Sequence, residues 1–287
     1  MRIPPSSFLH DPHYMSKHAP SAEKAKNDRS LRFYREVLGL ERLHYGMWLP
    51  EDELTMESLK AAQKRYEDFL IESIPESSRR ILDVGCGTGE LCLNLKERGY
   101  EVEGLSPDKN QKAVFAEKVD APFHFTRFED SQLEGGYDVI IMSESCQYIP
   151  MEKVFEVAAA ALKPGGYLMV CDYFVLDPNA GELSRSGHDY DAFLETANKS
   201  RFDILQRRDI TPDIRKTLEI ADEWADKILL GGDILTEKIR ERNPFLWKIA
   251  CWLFGGKYEK AMTQKVLLDA DRFAAVKKYE FFLFQLG

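Results

Sequence analysis

The strongest chemical signal in the sequence is a run of seven residues, Asp83-Val-Gly-Cys-Gly-Thr-Gly89. Glycine at alternate positions lets the chain turn sharply and lets a ligand approach the main chain closely. The apolar run at 81–84 (ILDV) reads as a strand and 91–99 as a helix that stops at Gly99. A loop between them aims the free N–H groups of a helix start at the mouth of a sheet. That is where α/β folds hold nucleotides. Spacing narrows the ligand. A dinucleotide loop needs G-x-G-x-x-G or G-x-G-x-x-A, whereas Gly85, Gly87 and Gly89 run G-x-G-x-G and are followed by Glu90. An acid at the helix entry is a poor neighbour for a pyrophosphate. No Lys-Ser or Lys-Thr pair follows to make a Walker A loop. A ligand without phosphate fits the loop better.

Two other short stretches could do chemistry. Leu43-His44-Tyr45-Gly46-Met47-Trp48 gathers aromatic faces, which stabilise cations through the ring quadrupole. Ser143-Glu144-Ser145-Cys146-Gln147-Tyr148 follows an apolar strand pattern and offers a carboxylate, an amide and a phenol. No metal site is expected. The five cysteines include no CxxC pair, and His10, His13 and His18 lack a carboxylate or cysteine to complete a ligand set. Cys146 reads as a small packing residue rather than a nucleophile.

The elements that must position these residues follow from periodicity. Residues 29–47 are expected to form a short helix and 54–74 a longer one, with apolar residues at helical spacing. After the first strand and helix come a strand at 100–106, a helix at 107–119 started by Pro107, strands at 121–128 and 137–144, a helix at 153–166 and a strand at 167–174. Strands alternating with helices imply parallel βαβ units with right-handed crossovers, and so an open, doubly wound sheet covered on both faces. A sixth strand at 201–211, helices over 213–230 and 234–268, and a last strand at 278–286 complete the expectation. The domain division expected is an arm at 1–28 and one domain at 29–287: lid helices 29–75, core 76–211, helical insert 212–268, and last strand.

DVGCGTG resembles motif I of class I S-adenosylmethionine (SAM) dependent methyltransferases. The similarity continues in order through VEGLSPDKNQ, GGYDVIIMSESCQYI and LKPGGYLMV, over roughly residues 43–211. The finer resemblance is to small-molecule methyltransferases of the tocopherol, sterol and cyclopropane-fatty-acid-synthase type. It implies a Rossmann-like, mainly parallel seven-stranded sheet with a helical cap inserted before the last strand. It also implies SAM as cofactor, with S-adenosylhomocysteine (SAH) as product. Asp83, Gly85, Cys86, Gly87 and Gly89 match the loop that holds the amino-acid end of SAM. Ser106 stands where most of the class has an acid for the ribose; with Pro107 and Gln111 it makes the ribose side. Asp108 is either a substitute for that acid or a helix cap. Arg127, Phe128 and Glu129 match the adenine segment, with a core position the alternative reading of Phe128. Ser143 and Tyr45 complete the cofactor set. Trp48 is either a cation-facing aromatic or an anchor for the lid.

Methyl transfer from a sulfonium requires alignment and exclusion of water. A general base is required only if the acceptor must lose a proton. The candidates for catalysis are His44, Tyr45, Glu144 and Tyr148. The resemblance points to a small-molecule acceptor, and the aromatic insert (Leu229, Leu230, Ile234, Leu235, Phe245, Leu246, Trp247, Ile249, Trp252) suggests a lipophilic one. Two alternatives stand beside methylation: cyclopropane-synthase-like C1 modification of a lipid, and a SAM-binding module without turnover. Gln147-Tyr148, where cyclopropane synthases resemble Glu-His, speaks against the first.

Bulk properties limit the partners. At 287 residues, 44% hydrophobic and with a formal net charge of −9, the chain can build a core but lacks the basic footprint of a nucleic-acid binder. The longest apolar stretch, 245–254, is interrupted by Lys248 and is too short to span a bilayer. Reduced cysteines and no apolar leader lead to an expectation of a cytoplasmic protein without stable membrane insertion.

Overall fold

In the computed structural model, residues 36–243, 245 and 265–287 are described. Helix α1 (Met56–Glu72) starts where the Thr55 side chain accepts the Ser58 N–H. Strand β1 (Arg80–Val84) leads through the glycine turn into α2 (Glu90–Glu97), then β2 (Glu101–Leu105). Helix α3 (Lys109–Lys118) is capped by Asp108, which accepts the Asn110 and Gln111 N–H groups. Strand β3 (Phe123–His124), β4 (Tyr137–Ser143), α4 (Met151–Ala161) and β5 (Leu162–Val175) follow. Beyond these lie β6 (His188–Asp189), α5 (Tyr190–Lys199), β7 (Phe202–Asp209), α6 (Thr211–Arg242), α7 (Ala270–Val276) and β8 (Lys277–Leu286).

The sheet runs β3-β2-β1-β4-β5-β8-β7, with the two-residue β6 paired to β5. Strands β1 to β5 are parallel; β8 lies antiparallel between β5 and β7. This is the doubly wound, mainly parallel seven-strand path that the motifs imply. Side chains alternate between its faces. Ile81, Ile141, Cys171 and Phe281 face a cluster completed by Tyr66, Leu70, Leu95, Ile214 and Leu218 from α1, α2 and α6. Leu82, Met142, Val170 and Phe282 face the opposite cluster, closed by Phe155 of α4 and Phe193 of α5.

Several boundaries differ from the sequence expectation. The helix expected at 29–47 is absent from 38–48, which form an extended strap; 29–35 lie outside the described residues, as do the arm and its histidines. Strap and α1 approach so closely that a Cβ on Gly46 would fall 2.7 Å from the Ala62 Cβ. The strand at 121–128 shrinks to Phe123–His124, because the chain turns at residue 128 into a short 3-10 turn. The helix expected to 166 stops at Ala161: Lys163 precedes a proline, which disfavours the helical region. Helix α5, not expected at all, is capped by Asp189 on the Ala192 N–H. The helix expected to end at 230 continues through Gly231 and Gly232 in the unbroken α6. Among the described residues no helix is long and apolar enough to cross a membrane.

Candidate active site

The C-terminal ends of β1 and β4 and the start of α3 frame a cavity of about 290 Å³. Asp83, Gly85, Cys86 and Gly87 form one side; Gln111 lines another; Ser143, Glu144 and Tyr148 come from the end of β4. The strap closes it with Glu41, Arg42, Leu43 and His44. Nine residues singled out in the sequence therefore meet here. The three glycines differ. A Cβ on Gly85 (φ +77°) would lie 2.4 Å from the Ser145 Cβ, and one on Gly89 (φ +88°) 2.6 Å from the Val119 side chain. Gly87 (φ +54°) meets nothing within 4 Å. Two glycines thus permit close packing, and one leaves bare backbone facing the cavity.

The other sequence candidates are placed differently. Ser106 is buried and donates to Gln111 Oε1 at 2.6 Å, so the pair expected on the ribose side is in contact. Phe128 is buried in the core cluster with Val84, Leu105 and Met142. Arg127 is exposed and pairs with Glu129 at 3.6 Å. Gly89, Pro107, Arg127, Phe128 and Glu129 do not line the cavity. Trp48 is 4% exposed and donates its indole N–H to Thr217 at 2.8 Å, which makes it an anchor of the strap on α6.

Glu144 is the one described non-glycine residue with positive φ (54°). Such a backbone costs on the order of 1 kcal/mol and must be held by its surroundings. Its Oε1 accepts the Tyr45 N–H at 2.7 Å and the Tyr279 hydroxyl at 2.8 Å. Tyr279 also contacts the Tyr66 hydroxyl at 3.0 Å, which reaches Ser143 Oγ at 2.9 Å. Burial pushes the Glu144 carboxyl up; the charge of His44 and the two hydrogen bonds oppose it. Asp83 is pushed up to about 7 by burial, against a hydrogen bond from the Cys92 thiol at 3.2 Å. Asp172, which holds the turn after β4 by accepting the Gln147 N–H at 3.1 Å, is pushed up to about 8 by burial.

Sequence reasoning missed Glu67, Arg42 and Thr88. Glu67 is 1% exposed and faces Arg42 Nε at 2.9 Å and His44 Nε2 at 3.2 Å. Its signal was present: Gln63 and Glu67 interrupt the apolar face of α1 formed by Leu59, Ala62, Tyr66 and Leu70. Polar residues on a buried helical face require partners.

A second cavity of about 390 Å³ adjoins the first across residues 42–44. Ile220, Trp224 and Ile228 of α6 line it, with Met56 and Leu59 of α1 and Leu38, Leu40 and Tyr45 of the strap. Of the apolar residues expected to serve here, three described ones do not line the cavity. Leu230, Ile234 and Phe245 are exposed. Leu246, Trp247, Ile249 and Trp252 lie outside the described residues.

Residues 58–210, just over half of the chain, match a family model described as a methyltransferase domain. A ubiquinone biosynthesis O-methyltransferase of Bradyrhizobium diazoefficiens is 27% identical over 174 residues, 54% of this chain and 67% of that protein. The chain spans 64% and 48% of the length of two other curated methyltransferases, from Staphylococcus carnosus and Bacillus subtilis. Geranyl diphosphate C-methyltransferase from Streptomyces coelicolor A3(2), solved with Mg2+, geranyl diphosphate and SAH, superposes with a TM-score of 0.65, covering 97% of this chain and 99% of that one at 17% identity. The cyclopropane synthase MmaA2 of Mycobacterium tuberculosis gives 0.66 at 17% identity, covering 91% and 96%. At such identities the likeness speaks to the fold alone.

Proposed function

Because the chain belongs to the methyltransferase-domain family, we propose that it moves a methyl group from SAM to a small, lipophilic acceptor by in-line displacement. The observation that carries this reading is the turn after β1. Its middle glycine offers bare main chain to a cavity that also holds acids and cations, and its G-x-G-x-G spacing is not that of a phosphate loop. The residues fit such a donor. Asp83 would face its α-ammonium, Arg42 would supply a cation for its α-carboxylate, and Gln111, held by Ser106, would supply an amide for its ribose hydroxyls. Bound there, the sulfonium supplies an already activated methyl group.

The chain's own residues then align the reactants and exclude water. The strap at 41–45 covers the donor, and the apolar cavity takes the body of the acceptor. Tyr45 joins them: it lines the apolar cavity while its N–H is held by Glu144 beside the donor. An acceptor hydroxyl would find Glu144 and Tyr148 at that junction. Glu144, raised by burial, is the better placed to receive a proton.

Calorimetry with SAH tests the donor half. Wild-type protein binds at micromolar concentrations, and Gly87→Arg weakens binding by roughly 100-fold, about 2.7 kcal/mol, with its circular dichroism spectrum unchanged. Folded wild-type protein that binds no SAH overturns the proposal. Transfer of radiolabelled methyl to apolar phenols and terpenoid alcohols, set against their sulfonated analogues, tests the acceptor half. Preference for the sulfonated members overturns it.

A further inference from the structure

We infer that His44 is a fixed imidazolium that holds the strap closed over the donor cavity through Glu67, and is therefore a positioning residue rather than the proton acceptor of the reaction. The inference rests on the donor reading for what the cavity binds, but the charge of the ring follows from its partners alone. Nδ1 lies 2.7 Å from the Tyr45 carbonyl oxygen, which can only accept a hydrogen bond. Nε2 lies 3.2 Å from Glu67 Oε1. That same oxygen faces Arg42 Nε at 2.9 Å, and Oε2 accepts the Asn94 amide. Glu67 thus sits beside the Arg42 cation and the Asn94 donor, and as a carboxylate it only accepts. Both ring nitrogens must therefore carry hydrogen, and a histidine with two N–H groups is the cation. It has no lone pair left to take a proton from an acceptor.

The surroundings agree. The groups facing the ring are Glu67 and Tyr66 from α1, Arg42 on the strap, Glu144 after β4 and Asp83 at the end of β1. Burial alone would lower the histidine; the hydrogen bond to Glu67 and the charge of Glu144 outweigh it and hold it above its ordinary value. Gln63 donates to the main-chain oxygens of Arg42 (3.1 Å) and His44 (2.7 Å), so the strap is tied to α1 on either side of the ring. Loss of the Nε2 proton would set a lone pair against the Glu67 carboxylate and release that tie. From this group alone, donor affinity should therefore fall as pH rises through the raised value.

Nitrogen-15 NMR of the histidine rings in the ligand-free protein tests the charge directly. The expected result is a doubly protonated His44 ring at pH 6.5, with a midpoint that drops in Glu67→Gln. A singly protonated ring at that pH overturns the inference without any need for a variant to fold. Kinetics supply the second readout. In His44→Gln, KM for SAM should rise about tenfold while kcat at saturating donor stays within about twofold. A kcat loss of roughly 100-fold at unchanged KM would make His44 the base and overturn the inference. SAH calorimetry at pH 6 separates the two proposals. No binding there, with a doubly protonated ring, defeats the donor reading and leaves the charge assignment standing.

Discussion

Two cavities share the strap at residues 42–44 and differ in nearly everything else. The polar cavity, the proposed donor site, is lined by acids, cations and bare backbone, among them Asp83, Glu67, Arg42, His44, Glu144 and the turn at Gly87. The cavity beside it is lined mainly by Leu, Ile, Met and Trp side chains, most of them from the strap, α1 and α6. The polar cavity must be rigid, because each buried charge needs a partner at a fixed distance. The apolar one has no such directional demands and tolerates changes of shape. A fixed polar chemistry on one side of a strap and an adjustable fit on the other suits the proposed enzyme, with one donor and an apolar acceptor.

The largest effect expected is at Gly85. A side chain there meets Ser145 at 2.4 Å with φ at +77°. Gly85→Val should abolish SAH binding and cost roughly 3 kcal/mol of stability in chemical denaturation. A variant with wild-type stability and affinity would mean that the turn is not pinned by the loop after β4. The matching change on the other side is Trp224→Ala. It should leave SAH affinity within about twofold and lower kcat/KM for an apolar acceptor by roughly 30-fold, about 2 kcal/mol of lost burial. Equal losses for donor and acceptor would show that the two cavities act as one.

A smaller effect is expected where the sides join. Tyr279→Phe removes a hydroxyl that Glu144 and Tyr66 both contact. About 1–2 kcal/mol of stability should be lost. Glu144→Gln keeps an acceptor for the Tyr45 N–H and should lose less. If the two variants rank the other way, the carboxylate charge, not the hydroxyl chain, holds the strap.

The polar side was also the more legible in sequence. Asp83 to Gly89, Ser106 with Gln111, and Ser143 to Tyr148 lie within short runs whose spacing states their roles. The parallel strands β1, β2, β4 and β5 announced themselves as apolar runs punctuated by glycine. The strap did not. Its extended form is imposed by Gln63 and Thr217, the latter some 170 positions away in sequence (|i−j| of 171 to the Gly46 N–H), and no local pattern at 38–48 carries that information. The apolar cavity was hidden for the same reason: Leu40, Leu59 and Ile220 meet only in the folded chain. Helix α5 is different, since Tyr190, Phe193 and Ala197 are buried at helical spacing and the signal was there to be read. The adenine-side expectation at 127–129 named a segment whose aromatic ring turned out to be packed in the core.

The last effect expected concerns protons; on ligand binding it is the smallest, and it separates the cavities by charge alone. Asp83 has a folded value of about 7 against 3.8 for the free group, because burial penalises its charged form. Between roughly pH 4 and pH 7 the folded chain therefore holds a proton that the unfolded chain has lost. From this group stability falls as pH rises across that window, and the dependence ends above it. Asp83→Asn should flatten that slope. A ligand ammonium placed beside the carboxylate reverses the preference and expels the proton. SAH binding near pH 6.5 should release a fraction of a proton, seen as a dependence of calorimetric enthalpy on the buffer's ionisation enthalpy. The energy this proton contributes to binding at neutral pH is below about 1 kcal/mol. Asp83→Asn should remove most of the release, and binding of an apolar acceptor should show none. Proton release that persists in Asp83→Asn would move its source to another group of the polar cavity, with Glu144, also raised by burial, the first to examine.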